Sequence, residues 1–417
     1  MSIKVLHFAD AHIDIITGGK RDPKSGFSYR TLDFLNALDR IVDSAIDEKV
    51  DLVLFAGDAY RDAVPVPTFQ REWGKRMMRL SEAKIPVLLI AGNHDSSTAS
   101  GRASALQEYD TLSVPYLHLA KTISLWTPEM LDGVPVQVIA VPWIPRSRLV
   151  AATQSIGKET ESTEQDLAYQ ITMEINRILE KADPSVPIIL MAHYSITGAL
   201  FSEFQMAALG QEVLLPEGVM KDRRISYTAL GHIHKFQDLN AGNQPPVVYS
   251  GSIERVNFGE CNDKKGFIIA QIDNRHSSYT FRELEGRKFF SNEITIQNAE
   301  TFQQEALAAL PEADQISDAM IRLIIHYPRE WENFLDEREL RKAAESALAF
   351  HLVLRPISSP RIRLSEDAVV SSLSHLELLE RYCESNKYDK NALPGLLNLA
   401  KQIFNDVDMG ISEGSET

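Results

Sequence analysis

Aspartate, asparagine and histidine residues recur where short apolar runs of this chain end. They form five motifs, which are Asp10-Ala-His12, Gly57-Asp58, Gly92-Asn93-His94-Asp95, His193 and Gly231-His232-Ile233-His234. Carboxylate, amide and imidazole groups together suit Mn²⁺, Fe²⁺ or Zn²⁺, and the lack of sulfur ligands argues against a structural zinc site. A single motif of this kind is more often a cap or a satisfied polar pair. The five in this order predict a metal centre.

The elements that must position these motifs follow from the hydrophobic pattern. Runs of apolar residues predict buried strands at residues 3–8, 51–55, 85–91, 186–192 and 225–230. Helical spacing of apolar residues predicts helices at residues 31–48, 69–83 and 165–182. Alternating strands and helices predict an α/β fold with parallel strands. Because such sheets bind ligands beyond the carboxyl ends of their strands, we expect the five motifs to meet there.

Length, charge and cysteine content limit the class of protein. The 417 residues predict about two to four domains. A net charge of −15 excludes a generally basic coat for nucleic acid, so a polyanion must be held by a local patch, metal ions or a partner. Two cysteines provide no disulfide framework, which favours a reducing compartment. Without a signal-peptide pattern or a long apolar stretch, we expect a cytoplasmic enzyme and no membrane association.

Changes in composition predict four segments. Residues 1–285 hold all five motifs, and residues 286–356 read as a small α+β domain. Residues 357–404 hold two amphipathic helices after a PISSP linker at residues 356–360. The acidic residues 405–417 are predicted to be disordered.

In its five motifs the chain resembles the calcineurin-like metallophosphoesterase superfamily, over roughly residues 1–285. Two stretches, VLHFADAHID at Val5–Asp14 and YSGSIERVNFGE at Tyr249–Glu260, are similar to the bacterial SbcD nucleases. The resemblance implies a four-layer α/β/β/α sandwich, a small α+β capping domain, and C-terminal helices that dock on an SbcC-type ATPase. One stretch departs from the family, which commonly has a GDLFD-like sequence where this chain has Gly57-Asp58-Ala59-Tyr60-Arg61-Asp62.

The resemblance also implies the ligands of two divalent metal ions, with Mn²⁺ favoured. One ion would be held by Asp10, His12, Asp58 and His234. The other would be held by Asp58, Asn93, His193 and His232, so that Asp58 bridges the pair. Two cations about 3.5–4 Å apart can clamp a phosphate and activate a water molecule for in-line attack.

Two residues of the third motif are not implied as ligands. His94 would stabilise the transition state or protonate the leaving oxygen, a role that suits imidazole. Asp95 would either orient His94 or cap the following helix, and the sequence does not separate these alternatives.

A DNA substrate needs cationic contacts outside the metals. Phosphate contacts bind without reading sequence, so we expect binding that does not depend on a particular sequence, and the resemblance implies that DNA ends are bound. The candidate DNA-binding residues are Lys20, Arg21, Lys24, Arg30, Tyr60, Arg61, Arg146 and Arg148. The alternative is that these side chains are ordinary solvated loop residues.

The C-terminal helices carry apolar stripes suited to a groove or a coiled coil. The candidate partner-binding residues are Leu376, Leu379, Leu393, Leu396, Leu397 and Phe404. Periodicity alone equally allows these helices to pack on the capping domain. The family resemblance favours docking on an SbcC-type ATPase, and it also implies a homodimer through the nuclease domain.

Three functions remain open. The first is a metal-dependent exo- and endonuclease subunit of an SbcC–SbcD-type, ATP-dependent DNA end-processing complex, acting in DNA repair and recombination at the nucleoid. The second is a phosphodiesterase or phosphatase for small nucleotides or other phosphoesters. The third is a non-catalytic DNA-end scaffold, against which the complete ligand set argues.

Overall fold

The computed structural model describes residues 2–17, 19–96, 103–145, 164–201, 213–274, 276–357, 374–385 and 393–408. Within these ranges the chain forms two six-stranded sheets, one three-stranded sheet and one two-stranded sheet. The two-stranded sheet pairs Ser195–Ile196 with Leu214–Leu215. The metal motifs all belong to the two large sheets.

The first large sheet contains the strands that precede the first three motifs. Its strands, in spatial order, are Ser278–Glu283, Gly266–Ile272, Ile3–Phe8, Leu52–Phe55, Val87–Ile90 and Leu117–Ala120. The last four of these are parallel, whereas Gly266–Ile272 runs antiparallel to Ile3–Phe8. The carboxyl ends of the first three parallel strands therefore lie side by side.

The second large sheet contains the strands that precede the remaining two motifs. Its strands, in spatial order, are Gln237–Asp238, Val247–Tyr249, Tyr227–Gly231, Ile188–His193, Gln137–Val141 and Ser124–Trp126. The four central strands are parallel, and His193 lies opposite Gly231 in the register. This pairing brings the fourth and fifth motifs next to each other.

Three buried clusters show that the sheets are stacked in layers. The first cluster joins Phe8 and Phe55 to Phe34 of helix Tyr29–Asp47 and to Trp73 of helix Pro67–Glu82. The second joins residues of both sheets directly, for example Val5 and Ile189. The third joins the other face of the second sheet to helix Glu164–Leu179. The layers are helix, sheet, sheet and helix, and the predicted α/β class is confirmed.

A separate small sheet follows the two large ones. Its parallel strands are Phe289–Thr295, Met320–Pro328 and Ala349–Ile357. We call the unit from Phe289 to Ile357 the capping domain; its helices are Phe302–Ala308, Ala313–Ile316 and Glu337–Ala343. Its last strand extends into the predicted PISSP linker, and Pro356 pairs with Tyr327. An edge strand tolerates this proline because one of its sides needs no hydrogen bonds.

Charged and aromatic side chains join the capping domain to the first layer. Arg287 donates from Nε and Nη2 to Asp33, each at 2.7 Å. Arg30 is 1% exposed. It pairs with Asp33 at 2.7 Å and lies over the ring of Phe289 at 4.9 Å. These contacts fix the capping domain to helix Tyr29–Asp47 of the first layer.

The other α-helices within the described residues are two short ones and a C-terminal pair. The short helices are Gln107–Thr111 and Glu217–Met220. The C-terminal helices His375–Ser385 and Leu393–Asp408 contact each other. The second of them continues to Asp408, into the segment predicted to be disordered, and residues 409–417 lie outside the described residues. Among the helices described, none has the length and apolar character needed to cross a membrane.

The layer assignment predicts different costs for two neighbouring positions of helix Glu164–Leu179. Ile175 is fully buried against the second sheet, whereas Met173 is 50% exposed. We expect Ile175→Ala to lower the free energy of unfolding by about 2–5 kcal/mol through cavity formation. The matched control Met173→Ala should change it by less than about 0.5 kcal/mol. Urea unfolding followed by circular dichroism measures both, and equal effects would contradict the layering.

Candidate metal centre

The backbone at the strand ends is turned sharply. Four predicted ligands have left-handed φ angles, at 52° for Asp10, 39° for His12, 62° for Asp58 and 94° for His232. Such conformations cost about 1–3 kcal/mol each for residues with side chains, and they cluster at functional sites. Here they turn the ligand side chains of separate strands toward one another.

Glycines leave room for this close approach. A Cβ at Gly57 would lie 2.3 Å from Nδ1 of His193, and one at Gly92 would lie 2.1 Å from Oδ1 of Asp58. A Cβ at Gly231 would lie 2.1 Å from the carbonyl oxygen of Ala56. Each of these glycines directly precedes a predicted ligand, so a side chain there would displace the centre itself.

The first group of predicted ligands consists of Asp10, His12 and His234. The Nε2 atoms of the two histidines are 3.2 Å apart, and Nε2 of His234 lies 3.9 Å from Oδ1 of Asp10. All three side chains have a donor atom within 4.8 Å of the others. Two imidazole nitrogens and a carboxylate oxygen facing one point form a donor set for a divalent cation.

The second group consists of Asp58, Asn93, His193 and His232. Oδ1 of Asn93 lies 3.1 Å from Nε2 of His193 and 3.0 Å from Nδ1 of His232. Oδ2 of Asp58 lies 3.3 Å from Nε2 of His193 and 3.9 Å from Nε2 of His12. Asp58 therefore contacts a histidine of each group, as the predicted bridging role requires.

Burial and mutual contact set the protonation of the centre. Burial opposes the ionisation of Asp58, but the imidazoles of His193 and His12 outweigh it and hold the pKa of this carboxyl well below its usual range. Burial disfavours the charged form of His193, yet Asp58 raises its pKa to about 9. Burial lowers the pKa of His12 to about 3, which keeps its ring neutral. A cation requires the ionised carboxylate together with neutral imidazoles, so metal binding would displace the proton that Asp58 holds on His193.

His94 lies beside the ligands with a separate set of contacts. Its backbone N–H donates to Oδ1 of Asp58 at 2.9 Å, and its ring centre lies 5.2 Å from that of His12. Nδ1 lies 2.9 Å from the carbonyl oxygen of Arg61 and must donate to it, which leaves Nε2 for proton transfer. The side chain is half-buried and lines a cleft of about 530 Å³. This position fits a proton donor to a bound phosphoester.

Among the described residues, Asp95 contacts the backbone of two motifs rather than the His94 ring, and a helix that directly followed it would fall in residues 97–102, outside the described part of the chain. Its carboxylate accepts hydrogen bonds from the backbone N–H groups of Gly92, Asp58, Ala59 and Tyr60 at 2.8–3.2 Å. It thereby ties the second motif to the third. The carbonyl of Arg61, rather than Asp95, orients His94.

Two candidate DNA-binding residues lie in the core, so the predictions for them were wrong. Tyr60 is 2% exposed and packs against Trp73. Arg30 is held at the junction with the capping domain, as described above. Lys20 donates from Nζ to the carbonyl oxygen of Ala347 in the capping domain.

The remaining candidate DNA-binding residues that the structure describes do not form one positive patch beside the predicted ligands. Arg61 is exposed and lines the cleft beside His94. Arg21 is exposed and donates to the carbonyl oxygen of Gly26 in its own loop, where Lys24 is also exposed. Arg146 and Arg148 lie outside the described residues.

Two residues that sequence reasoning missed support the ligands. The Trp143 ring stacks on His232, with ring centres 5.7 Å apart. Trp143 follows strand Gln137–Val141, so the strand-end rule that found the ligands could have found it. Glu260 accepts from Nδ1 of His234 through Oε1 at 2.8 Å. Burial opposes its ionisation, but His234 and Lys265 hold the pKa of Glu260 well below its usual range.

The match to a known family agrees with this fold and this donor set. Residues 3–236 match the calcineurin-like phosphoesterase model, and the chain belongs to that family. It is therefore a metal-dependent phosphoesterase, and the family's divalent metals fit the residues gathered at the strand ends.

One relative is similar over most of the chain. This is the DNA double-strand break repair protein Mre11 of Archaeoglobus fulgidus, 23% identical over 399 residues, which cover 90% of this chain and 81% of that protein. Among solved structures, TT1561 of Thermus thermophilus is 16% identical with a TM-score of 0.38, covering 67% of this chain and 99% of that chain. A dimetal phosphatase from Danio rerio is 12% identical with a TM-score of 0.36, covering 66% and 98%. At these TM-scores the two structures carry no weight for function.

The contacts of Asp58 with both ligand groups predict a joint loss of metals. Asp58→Ala should lower both the bound Mn²⁺ and the hydrolysis of a chromogenic phosphodiester, because each group loses the carboxylate that the two are predicted to share. Elemental analysis after desalting measures the metal content. The control Glu82→Gln changes an exposed carboxylate at the end of helix Pro67–Glu82 and should leave both unchanged. Near-normal metal content and turnover in Asp58→Ala would refute the bridge.

Proposed function

We propose that the chain is a Mn²⁺-dependent DNA nuclease of the SbcD type, the catalytic subunit of a DNA end-processing complex. The observation that carries this proposal is the extent of the similarity to Mre11. The phosphoesterase family model ends at residue 236, whereas the similarity to that repair protein covers 90% of this chain. It therefore includes regions beyond the phosphoesterase core, which a shared metal centre alone does not explain. A role at DNA ends would place the chain in the cytoplasm, with the nucleoid.

The residues of the centre have distinct tasks in this proposal. Asp10, His12, Asp58 and His234 would hold one metal ion, and Asn93, His193 and His232 would complete the other site with Asp58. When bound, such an ion pair clamps a phosphate and lowers the pKa of water. In its doubly protonated form His94 would give the proton on Nε2 to the leaving oxygen, while the proton on Nδ1 stays hydrogen-bonded to the carbonyl of Arg61.

DNA would enter along the cleft beside His94. Arg61 lines this cleft, and Arg21 and Lys24 are exposed on the loop that follows the first motif. Contacts of this kind go to the phosphate backbone and are independent of base sequence. Because the net charge is −15, we infer that a partner supplies part of the DNA-binding surface.

The partner would be an SbcC-type coiled-coil ATPase that docks on the C-terminal helices. In helix Leu393–Asp408 the half-buried residues are Leu393, Leu397, Ala400 and Phe404. The exposed apolar residues are Leu396, Leu399 and Ile403, at 40%, 57% and 51%. We place docking on the exposed apolar residues. They lie on a different face of the helix from its predicted partner-binding residues and share only Leu396 with them. Leu376 and Leu379 of the preceding helix are half-buried. A homodimer through the nuclease domain remains part of the proposal.

Substrate choice tests the proposal directly. The metal-loaded chain is incubated with linear DNA and, separately, with a chromogenic phosphodiester, each with and without chelator. Chelator-sensitive degradation of DNA is the expected result. Turnover of the small ester alone would favour a phosphodiesterase or phosphatase for small substrates, and no turnover of either would favour the non-catalytic scaffold.

The assigned role of His94 predicts a loss of rate without a loss of metal. His94→Gln keeps the backbone N–H that donates to Asp58 but removes the proton donor, so cleavage should slow by about 10²–10⁴-fold. Metal content and DNA affinity should stay near the wild-type values. His118→Gln is the control, because His118 pairs with Asp132 at the surface. A parallel fall in metal content would identify His94 as a ligand instead.

The exposed stripe predicts how the ATPase can be released. Leu399→Glu with Ile403→Glu places two carboxylates where an apolar contact is proposed, and burying them without partners is costly. Binding to the ATPase and ATP-stimulated cleavage should be lost, while Mn²⁺-dependent cleavage by the chain alone persists. The control adds the same charges at the same spacing on exposed polar positions, as Asn398→Glu with Gln402→Glu. Full-strength co-purification of the first variant would refute docking on this stripe.

A further inference from the structure

A buried carboxylate lies directly behind one histidine of the metal centre. Glu260 ends a short 3₁₀ turn, Phe258–Glu260, and its side chain has 0% exposure. Oε1 accepts from Nδ1 of His234 at 2.8 Å. Oε2 accepts from the backbone N–H of Val256 at 2.9 Å and lies 2.8 Å from Nζ of Lys265. Both carboxylate oxygens of Glu260 therefore accept hydrogen bonds from groups of the protein.

Lys265 holds this arrangement from the opposite side. Its side chain is also fully buried, and Nζ donates to the carbonyl oxygen of His234 and to Oγ of Ser252, each at 2.9 Å. The ammonium group thus contacts both the carboxylate behind the His234 ring and the backbone of His234. A buried ion pair is tolerated when further hydrogen bonds satisfy both partners, as they do here.

The consequence for His234 is a fixed tautomer and a fixed ring. Because a carboxylate can only accept, Nδ1 must carry the proton, and Nε2 keeps its lone pair on the side of His12 and Asp10. Partners of this kind orient ligating histidines and increase their basicity, and their loss typically weakens metal binding by about 10–100-fold.

The turn that carries Glu260 is also fastened to the capping domain. The Phe258 ring lies 5.3 Å from Phe289 and 5.4 Å from His351, measured between ring centres. The guanidinium of Arg322 lies over the same ring at 5.1 Å. In this short turn the side chain of Phe258 therefore packs in the capping domain. The side chain two residues later, that of Glu260, is hydrogen-bonded to the predicted ligand His234.

We propose that Glu260, secured by Lys265, is the positioning residue for His234, and that the packing of Phe258 in the capping domain holds the turn in place. The capping domain thereby sets the metal affinity of the Asp10–His12–His234 group. This inference rests on the metal centre of the proposed function and not on the nature of the substrate.

The test measures metal binding without any substrate. Glu260→Ala with Lys265→Met removes the carboxylate and leaves no unpaired buried lysine. Calorimetric addition of Mn²⁺ to the metal-free full chain should show one of two sites weakened by about 10–100-fold, with the other unchanged. The control, Glu283→Ala with Lys264→Met, removes a similar pair at 2.9 Å on the surface and should bind like the wild type. Wild-type affinity at both sites in the folded double variant overturns the proposal, and so does equal weakening of both sites.

Two single variants keep the proposal testable should the double variant fail to fold. Glu260→Asp retains the charge but withdraws the carboxylate by one methylene, so the same site should weaken while the other stays unchanged. Phe258→Ala should weaken that site too, because the turn loses its contacts with the capping domain. Unchanged affinity in Glu260→Asp would overturn the positioning role, and unchanged affinity in Phe258→Ala would overturn the anchoring by the capping domain. If Mn²⁺ does not bind even to the wild-type chain, the proposed function itself fails.

Discussion

The burial of several ligand side chains at one place is the constraint on which the rest of the structure depends. Asp10 and Asp58 are 0% and 1% exposed, and the imidazoles of His12 and His193 lie within the same cluster. Carboxylates removed from water are unfavourable unless cations or hydrogen bonds compensate them. The divalent metals of this family supply that compensation, so the centre is stable as a unit of protein and metal rather than as a set of side chains.

Holding such a centre requires a rigid backbone around it. The left-handed ligand residues would relax if the loops were free, and the four N–H groups bound by Asp95 prevent this between the second and third motifs. Glycines at positions 57, 92 and 231 allow the approach, and the stacked sheets fix the strand ends. The strained loops are stabilised by the large apolar layers beneath them, which tolerate a local cost of a few kcal/mol.

The sequence predicted those parts of the molecule that follow from local pattern. The candidate ligands were identified because each follows an apolar run, and the structure brings these residues together because parallel strands place such ends at one edge. Tyr60 and Arg30 were misjudged because their burial depends on Trp73 and on the capping domain, which no local pattern reveals. The contacts of Asp95 and Glu260 were not predicted for the same reason. Asp95 binds the loop at residues 58–60, and Glu260 binds His234, and both are distant in sequence. The exposed apolar stripe of the last helix lies on a different face from the predicted partner-binding residues. Periodicity shows that a helix has an apolar stripe, but it does not show which part of the stripe a neighbour covers.

The acidic character of the chain and the small number of cationic side chains in the cleft favour a division of labour. Catalysis needs only the few side chains at the strand ends, where His94 and Arg61 lie next to the ligands. Capture of a long polyanion needs a wide field of positive charge, and a chain with a net charge of −15 does not generate one. In the proposed function, the exposed apolar residues of the last helix would bind a partner that supplies this field. In the proposed complex, this separation would confine cleavage to DNA that the partner has already bound.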